Sequence, residues 1–281
     1  MLLMGRALLL ALALPGFFQA QKERIRIRAL PSSELTVRMA VDQTLHFDVL
    51  SAALPGPVTL DGSTMMRFTQ KTDKPDSAGI VNAHLTYDSL QIAMTLNGSP
   101  MGQSGDDMAG KTITARYDST GKLVDLLVPA ELERLATPMR SILSSALGAL
   151  PTGEMAQGDS ATVTMNVPVP IALPGASNPP SVTWVTRYRL DRVQHDGEDL
   201  IAVFDLSSLG TMKQPVATPM GNADVDLKMT GTGTMEVDVR RALVRSSIID
   251  TKLSMTMDMG GGSTMNMSGT TRAVTRGVLV P

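Results

Sequence analysis

The segment LTVRMAVDQTLHFDV, residues 35–49, decides the fold class because apolar and polar residues alternate along it. Its odd positions include Val37, Met39, Val41 and Phe47, whereas most of its even positions are charged or hydroxylated. Such alternation is typical of a β-strand with one buried and one solvated face. The same period of two recurs along most of the chain. The sequence therefore predicts a mainly β protein of roughly ten to twelve amphipathic strands.

The turns between these segments indicate antiparallel pairing. Asp196-Gly197 in QHDGEDL is a strong hairpin signal, and Gly121 lies between two strand-like arms in YDSTGKLVDL. Strands of a parallel sheet that is covered by helices on both faces would instead form continuous apolar runs. We therefore expect hairpins throughout.

One segment has a helical pattern instead. Residues 129–150 place Leu135, Met139, Ile142 and further apolar residues at helical spacing, and Thr137-Pro138 predicts a kink. The predicted fold is a strongly curved antiparallel sheet, an open or half barrel, that wraps one kinked amphipathic helix. Residues 21–281 would form a single mostly-β domain, in which the helix joins two strand-rich halves at about 36–127 and 160–276.

The first twenty residues have the layout of a secretory signal peptide. Arg6 precedes an apolar run from Ala7 to Leu14, and Ala20 is followed at once by charged residues. Residues 1–20 thus predict export, with the mature protein periplasmic or secreted. After residue 20 no apolar run is long enough to cross a bilayer. The chain contains no cysteine, which excludes disulfides and thiolate metal sites.

Charge and motifs narrow the function class. Without residues 1–20 the chain has 24 basic and 27 acidic side chains, a net charge of −3 that argues against nucleic acid as a partner. Ser119 and Lys122 match S-x-x-K but lie in a predicted turn, where a serine–lysine enzyme would need a helix start. The histidines fall on polar strand positions or beside a turn. We therefore expect a non-enzymatic protein with no catalytic residue and no cofactor.

The stretch MTMDMGGGSTMNM, residues 255–267, concentrates methionine around a glycine tip. With Gly260–Thr264 as the tip, Met259 would lie opposite Met265 and Met257 opposite Met267, and all of these would share one face with Met255. Thioethers select Cu(I), so a copper site at these five methionines is one hypothesis. The other is a deformable apolar lining, in which methionine takes the place of rigid aromatic residues.

The segment ALPTGEMAQGDS, between the predicted helix and the second half, is similar to a segment of a known protein family. Pro151, Gly158, Asp159 and Ser160 match the entry to the second half in a family of uncharacterised exported bacterial envelope proteins, which this chain resembles. The architecture is also similar to the half-barrel of lipoprotein carriers. The resemblance implies an envelope protein with a curved sheet around an apolar cavity, and it carries over no catalytic residue.

These observations favour a protein that binds or carries a hydrophobic small molecule or lipid in the bacterial envelope. The predicted lining consists of the apolar residues expected to point inward: Val37, Met39, Val41, Phe47, Leu135, Met139, Ile142, Met255 and Met257. The alternatives are an envelope structural or interaction module with a filled core, and the copper site. A packed core leaves no large void, whereas a carrier leaves a cavity of hundreds of cubic ångströms. The sequence names no protein partner.

Overall fold

The computed structural model describes residues 23–31, 34–51, 56–104, 108–135, 150–168, 181–218, 221–260 and 263–280. The predicted signal peptide, residues 1–20, lies outside these ranges, as do Met139 and Ile142 of the predicted lining. The described strands are β1 (Arg24–Ile27), β2 (Leu35–Ser51), β3 (Val58–Thr72), β4 (Val81–Leu96), β5 (Ser99–Ser104), β6 (Thr112–Tyr117), β7 (Leu123–Leu127), β8 (Gly153–Ala156), β9 (Ser160–Pro168), β10 (Ser181–Asp196), β11 (Asp199–Thr218), β12 (Gly221–Asp238), β13 (Leu243–Asp258) and β14 (Thr264–Leu279).

One large antiparallel sheet contains most of these strands. Its order is β7-β6-β4-β3-β2-β14-β13-β12-β11-β10-β9, and β5 pairs with the second half of β4. The two sequence halves join where β14 pairs with β2, from Met265 opposite Ser51 to Leu279 opposite Val37. Among the described strands, β7 and β9 each have a neighbour on one side, so the sheet is open. The predictions of a mainly β, antiparallel and open fold are confirmed. A separate ribbon pairs β1 with β8.

The sheet has one apolar and one charged face, which we call the apolar face and the polar face. In β2 the apolar face carries the odd positions from Val37 to Val49, and the register extends it across the neighbouring strands. The described positions of this face bear no Asp, Glu, Lys or Arg from β9 across to β6. Local alternation alone therefore sorts the side chains between core and solvent.

Three apolar clusters lie on this face. The ribbon cluster joins Ile25 and Met155 of the β1–β8 ribbon to Phe204 and its neighbours in β10–β12. The tyrosine cluster contains Phe68, Tyr87, Ile113, Tyr117 and Leu132, and packs Met39, Val41, Met66 and Leu90 around it. The methionine cluster contains Val225, Leu227, Leu253, Met255, Met257 and Met267, and packs Phe47, Val49, Met259 and Met265 around it.

Glycines opposite large side chains shape the apolar face. Gly210 lies opposite Trp184, and Gly269 lies opposite Phe47. A Cβ at Gly210 would lie 2.5 Å from the indole Cε3, and a Cβ at Gly269 would overlap the Phe47 ring. Each large side chain thus covers the space that its glycine partner leaves open.

The two edges of the sheet approach one another. Thr120, in the turn between β6 and β7, lines a cleft of about 330 Å³ together with Ala161–Thr164 of β9. In a flat sheet these strands would lie at opposite ends of ten spacings of about 4.8 Å, roughly 48 Å apart. The sheet must therefore curve back toward itself, with Leu150 and Pro151 in the gap.

The predicted kinked helix over 129–150 is not supported. Within this range the structure describes residues 129–135 and Leu150, and Ala130–Leu135 form a 3-10 helix. The Leu132 amide donates to the Pro129 carbonyl three residues back, and the Leu132 side chain packs in the tyrosine cluster. The apolar spacing therefore corresponds, over its described part, to a short 3-10 helix of about two turns. Residues 136–149 lie outside the described part of the chain. Among the described residues no helix is long and apolar enough to cross a membrane.

Candidate ligand-binding face

Part of the apolar face is only half-covered. We call this part the open strip: Leu45, Phe47 and Val49 of β2, Val58 and Leu60 of β3, and Ile92, Met94 and Leu96 of β4. Its members are half-buried except Leu96, which is 39% exposed. The strip adjoins the methionine cluster through Phe47 and Val49. It is therefore apolar surface that an apolar ligand could cover.

The strand members of the predicted lining share the apolar face but do not form one pocket. Met39 and Val41 pack beside the tyrosine cluster, whereas Phe47, Met255 and Met257 belong to or border the methionine cluster. Val37 is fully buried, and Leu135 ends the 3-10 helix. Three clefts, of about 330, 630 and 800 Å³, are lined by other residues and not by Val37, Met39, Val41, Phe47, Met255 or Met257. The lining is thus a surface along the sheet, and the expected enclosed cavity is not among these clefts.

The methionine hairpin keeps its predicted face but not its predicted register. Met257 pairs with Met265 and Met255 with Met267, because the loop closes at a hydrogen bond from the Met259 amide to the Ser263 carbonyl. Three residues lie between Met259 and Ser263 in the sequence, whereas we expected a tip of five residues, Gly260–Thr264. Aliphatic neighbours such as Leu227 and Leu253 surround the buried thioethers. This packing explains the methionines as core side chains, and nothing in it supports the copper hypothesis.

Charged groups gather on the polar face. A cleft of about 630 Å³ there is lined by His46, Asp61, Asp250, Lys252 and Arg272, among others. His46 Nδ1 lies 2.7 Å from Asp61 Oδ1, and this hydrogen bond is the main reason that the pKa of His46 is raised. A second cleft, of about 800 Å³, lies beside Arg245 and Arg276, among other residues. Both clefts are open and mix charges of both signs, as expected for a solvated face.

Each histidine pairs with a carboxylate on a different part of the molecule. His84 Nε2 lies 3.0 Å from Asp73 Oδ2, and its Nδ1 lies 3.0 Å from Thr114 Oγ1. His195 lies 3.3 Å from Glu23. In the described part of the chain no group of three or more His, Asp or Glu side chains could hold a metal ion. These pairs are consistent with the predicted solvated strand histidines.

The predicted lining left out two aromatic residues of the apolar face, Tyr117 and Trp184. Trp184 lies over Gly210 and Gly231, and Tyr117 is fully buried. The Tyr117 hydroxyl has no hydrogen-bond partner among the described residues. Burial raises the pKa of Tyr117 well above its ordinary value, so the hydroxyl keeps its proton. Nothing in the sequence signals that a tyrosine hydroxyl will lack a partner among the described residues.

The motif that suggested an envelope family has a local structural role. The Asp159 carboxylate accepts a hydrogen bond from the Ala156 amide at 2.8 Å, and the Asp159 carbonyl accepts one from the Leu190 amide at 2.9 Å. Gly158 has a φ of +92°, which favours glycine. These residues close the turn between β8 and β9 and dock it on β10.

Comparisons with known proteins assign no family. No family model matches the chain, and no curated protein matches it. A solved structure of lipovitellin, concerned with lipid–protein interactions, is 12% identical with a TM-score of 0.46, over 89% of this chain and 25% of that chain. This chain thus spans about a quarter of lipovitellin.

Two further solved structures are less similar. One, from work on asymmetric conductivity of engineered proteins, is 8% identical with a TM-score of 0.28, over 84% of this chain and 99% of that chain. The crystal structure of Pseudomonas aeruginosa OpdR is 6% identical with a TM-score of 0.22, over 92% of this chain and 100% of that chain. With TM-scores below 0.5, these likenesses carry no argument about function. The envelope family stays a prediction.

Proposed function

We propose that this protein is an exported, non-enzymatic protein that binds or carries a hydrophobic ligand or lipid in the bacterial cell envelope, on the apolar face of its sheet. The observation that carries the proposal is the open strip, a half-covered apolar surface that continues into the buried methionine cluster through Phe47 and Val49. Export rests on the signal-like residues 1–20.

Charge supports this choice of ligand. An ionised group buried against the apolar face would lose its hydration without gaining a partner, since the described positions of that face bear no charged side chain. Neutral apolar groups lose little hydration and bury the half-exposed side chains. At about 25 cal/mol per Å², covering about 300 Å² of apolar surface would contribute roughly 7.5 kcal/mol before the entropic cost of association.

Methionine supports a ligand of variable shape. Met94 lies in the open strip, while Met259 and Met265 are half-buried where the methionine cluster meets solvent. Unbranched thioethers adapt to irregular partners, as rigid aromatic side chains do not. This favours flexible acyl chains over one rigid ligand.

A matched pair of substitutions tests the proposal. Met94→Gln places an amide in the open strip, whereas Met65→Gln places the same amide on the polar face, where Met65 is 44% exposed. We expect Met94→Gln to weaken binding of N-phenyl-1-naphthylamine, an apolar fluorescent probe, about three- to tenfold, and Met65→Gln to leave it unchanged. Equal effects of the two variants, or no binding by the wild type, would favour an envelope structural module with a filled core.

A further inference from the structure

The connections between strands differ in charge at the two ends of the large sheet. Among the described strands, five connections lie at one end, which we call the uncharged end: β2–β3, β4–β5, β9–β10, β11–β12 and β13–β14. In sequence, none of these five contains Asp, Glu, Lys or Arg. The hairpin connections at the opposite end each contain at least one, such as Glu198 between β10 and β11 and Arg240 between β12 and β13. This difference indicates that the two ends meet different surroundings.

Exposed apolar side chains lie at the uncharged end. Leu50 of β2 is 53% exposed, Met101 of β5 is 49% exposed and Leu96 of β4 is 39% exposed. A shallow cleft of about 270 Å³ at this end is lined by Leu50, Ser51, Gly56, Pro57, Thr264 and Asn266, none of which is charged. Since Leu96 also belongs to the open strip, the strip reaches the uncharged end.

Two turns at the uncharged end satisfy backbone groups within the chain. The Asn97 amide donates to the Thr59 carbonyl, and the Asn97 side-chain oxygen accepts from the Thr59 amide, each at 2.8 Å. In the methionine hairpin the Ser263 amide donates to the Gly260 carbonyl at 3.1 Å, and the Gly260 amide donates to Asp258 Oδ1 at 2.9 Å. Backbone groups that are already bonded lose less when they leave water.

The uncharged end fits a lipid bilayer better than a protein partner. The residues that dominate binding at protein interfaces are enriched in Trp, Tyr and Arg, and the five connections contain none of these. Asp48, Asp224 and Asp258 lie on the polar face within three residues of the strand ends, so anionic headgroups would be repelled. Zwitterionic lipid is therefore the surface that this end suits.

We propose, on the basis of the proposed function, that the uncharged end docks on a bilayer surface of zwitterionic lipid and that the acyl ligand enters the open strip there. The contact is apolar: side chains such as Leu50 and Met101 leave water for the interfacial region of the bilayer, and binding strengthens with the apolar area covered. The charged connections at the opposite end stay in water.

Leu50→Asp tests the docking, with Leu127→Asp as the matched control. Leu127 of β7 is 55% exposed, and it pairs through Thr114 and His84 with Lys71, near the opposite end of β3. Both variants thus place the same carboxylate at an exposed leucine outside the open strip. Flotation of the full mature chain with phosphatidylcholine vesicles would be measured for the wild type and both variants, at low and at high salt.

A fluorescent label locates the contact, because the chain has no cysteine and one engineered thiol is unique. Ser263→Cys places the label at the tip of the methionine hairpin, whereas Glu198→Cys places it in the β10–β11 turn at the opposite end. An NBD group emits at shorter wavelength in apolar surroundings. We expect this shift on mixing with vesicles for Ser263→Cys and not for Glu198→Cys.

We expect the wild type and Leu127→Asp to float equally and Leu50→Asp to bind about tenfold more weakly, because an apolar contact is replaced by a charge. Salt should change none of these results, since the contact is not electrostatic. Binding that requires phosphatidylglycerol and is lost at high salt, equal effects of the two variants, or a shift at Glu198→Cys would overturn the inference. So would self-association of the wild type that Leu50→Asp abolishes, without flotation of either.

Binding of N-phenyl-1-naphthylamine separates the docking from the proposed function. Leu50→Asp should bind this probe as the wild type does, because Leu50 lies outside the open strip. A wild type that binds the probe but no vesicles would overturn the docking alone. A wild type that binds neither would instead contradict the proposed function.

Discussion

Trp184 and Gly210 face each other across β10 and β11, and the indole occupies the space that a side chain at Gly210 would need. Gly231 of the next strand borders the same ring, with a Cβ position 3.3 Å from the indole Cζ2. The single tryptophan of the chain thus lies flat on the apolar face, between the methionine cluster and the ribbon cluster.

Gly210→Ala should destabilise the fold. The new Cβ would lie 2.5 Å from Trp184 Cε3 and 2.8 Å from Val182 Cγ1, so both side chains must move within a packed face. Overpacking of this kind costs about 1–3 kcal/mol in the free energy of unfolding. Urea denaturation followed by Trp184 fluorescence measures it. Gly56→Ala is the control, because nothing lies within 4 Å of a Cβ there, and an equal change in both variants would refute the packing role.

Met255→Leu and Met257→Leu should each change the free energy of unfolding by less than about 1.5 kcal/mol, because the replacement conserves volume. Met255→Ala should cost about 2–5 kcal/mol, since Met255 is buried among Leu227, Leu253 and Met267. Chemical denaturation of the three variants decides between packing and thioether chemistry. If leucine proved as damaging as alanine, the sulfur atoms would have a role beyond packing.

Asp238 is 1% exposed and holds the turn after β12. Its carboxylate accepts hydrogen bonds from the Arg240 and Arg241 amides, at 3.0 and 3.2 Å, and pairs with the Arg241 guanidinium. Asp238→Ala would leave the two amides without this acceptor, while the Arg241 guanidinium keeps Asp199 as a partner, and should cost about 1–3 kcal/mol. Asp238→Asn keeps an acceptor and should cost less. Thermal unfolding of both variants would test this, and equal losses would show that the charge alone matters.

The His46–Asp61 pair predicts a pH dependence with a definite sign. The hydrogen bond that His46 donates to the Asp61 carboxylate raises the pKa of His46 above its ordinary 6.5, so protonation of His46 favours the folded state. This stabilising contribution is complete below pH 6.5 and is lost as the pH rises through the higher folded pKa. An NMR titration of His46 should show the raised pKa in the wild type and a lower one in Asp61→Asn. If the pKa of His46 were the same in Asp61→Asn as in the wild type, Asp61 would not be the cause of the raised pKa.

Period-two alternation predicted the two faces correctly because it is a local property of the strand. Val37, Met39, Val41 and Phe47 lie on the apolar face as expected, and the Asp196-Gly197 turn joins β10 to β11. Each of these features depends on neighbouring residues only.

Features that depend on distant parts of the chain could not be predicted. Helical spacing in 129–150 predicted a long helix, whereas its described part, Ala130–Leu135, forms a short 3-10 helix that packs Leu132 into the tyrosine cluster. The opposition of Trp184 and Gly210 depends on register between two long strands. The lack of a partner for the Tyr117 hydroxyl among the described residues depends on how several strands pack together. Packing between strands, rather than local pattern, determines these.

Native mass spectrometry of the mature protein, purified from the envelope of its host without detergent, tests hydrophobic binding most directly. We expect a co-purified acyl-bearing mass that gentle solvent extraction removes, and we expect Met94→Gln to retain less of it than Met65→Gln. A protein that carries no such mass, and takes up none when mixed with acyl lipid, would contradict hydrophobic binding and leave the sheet as a structural module.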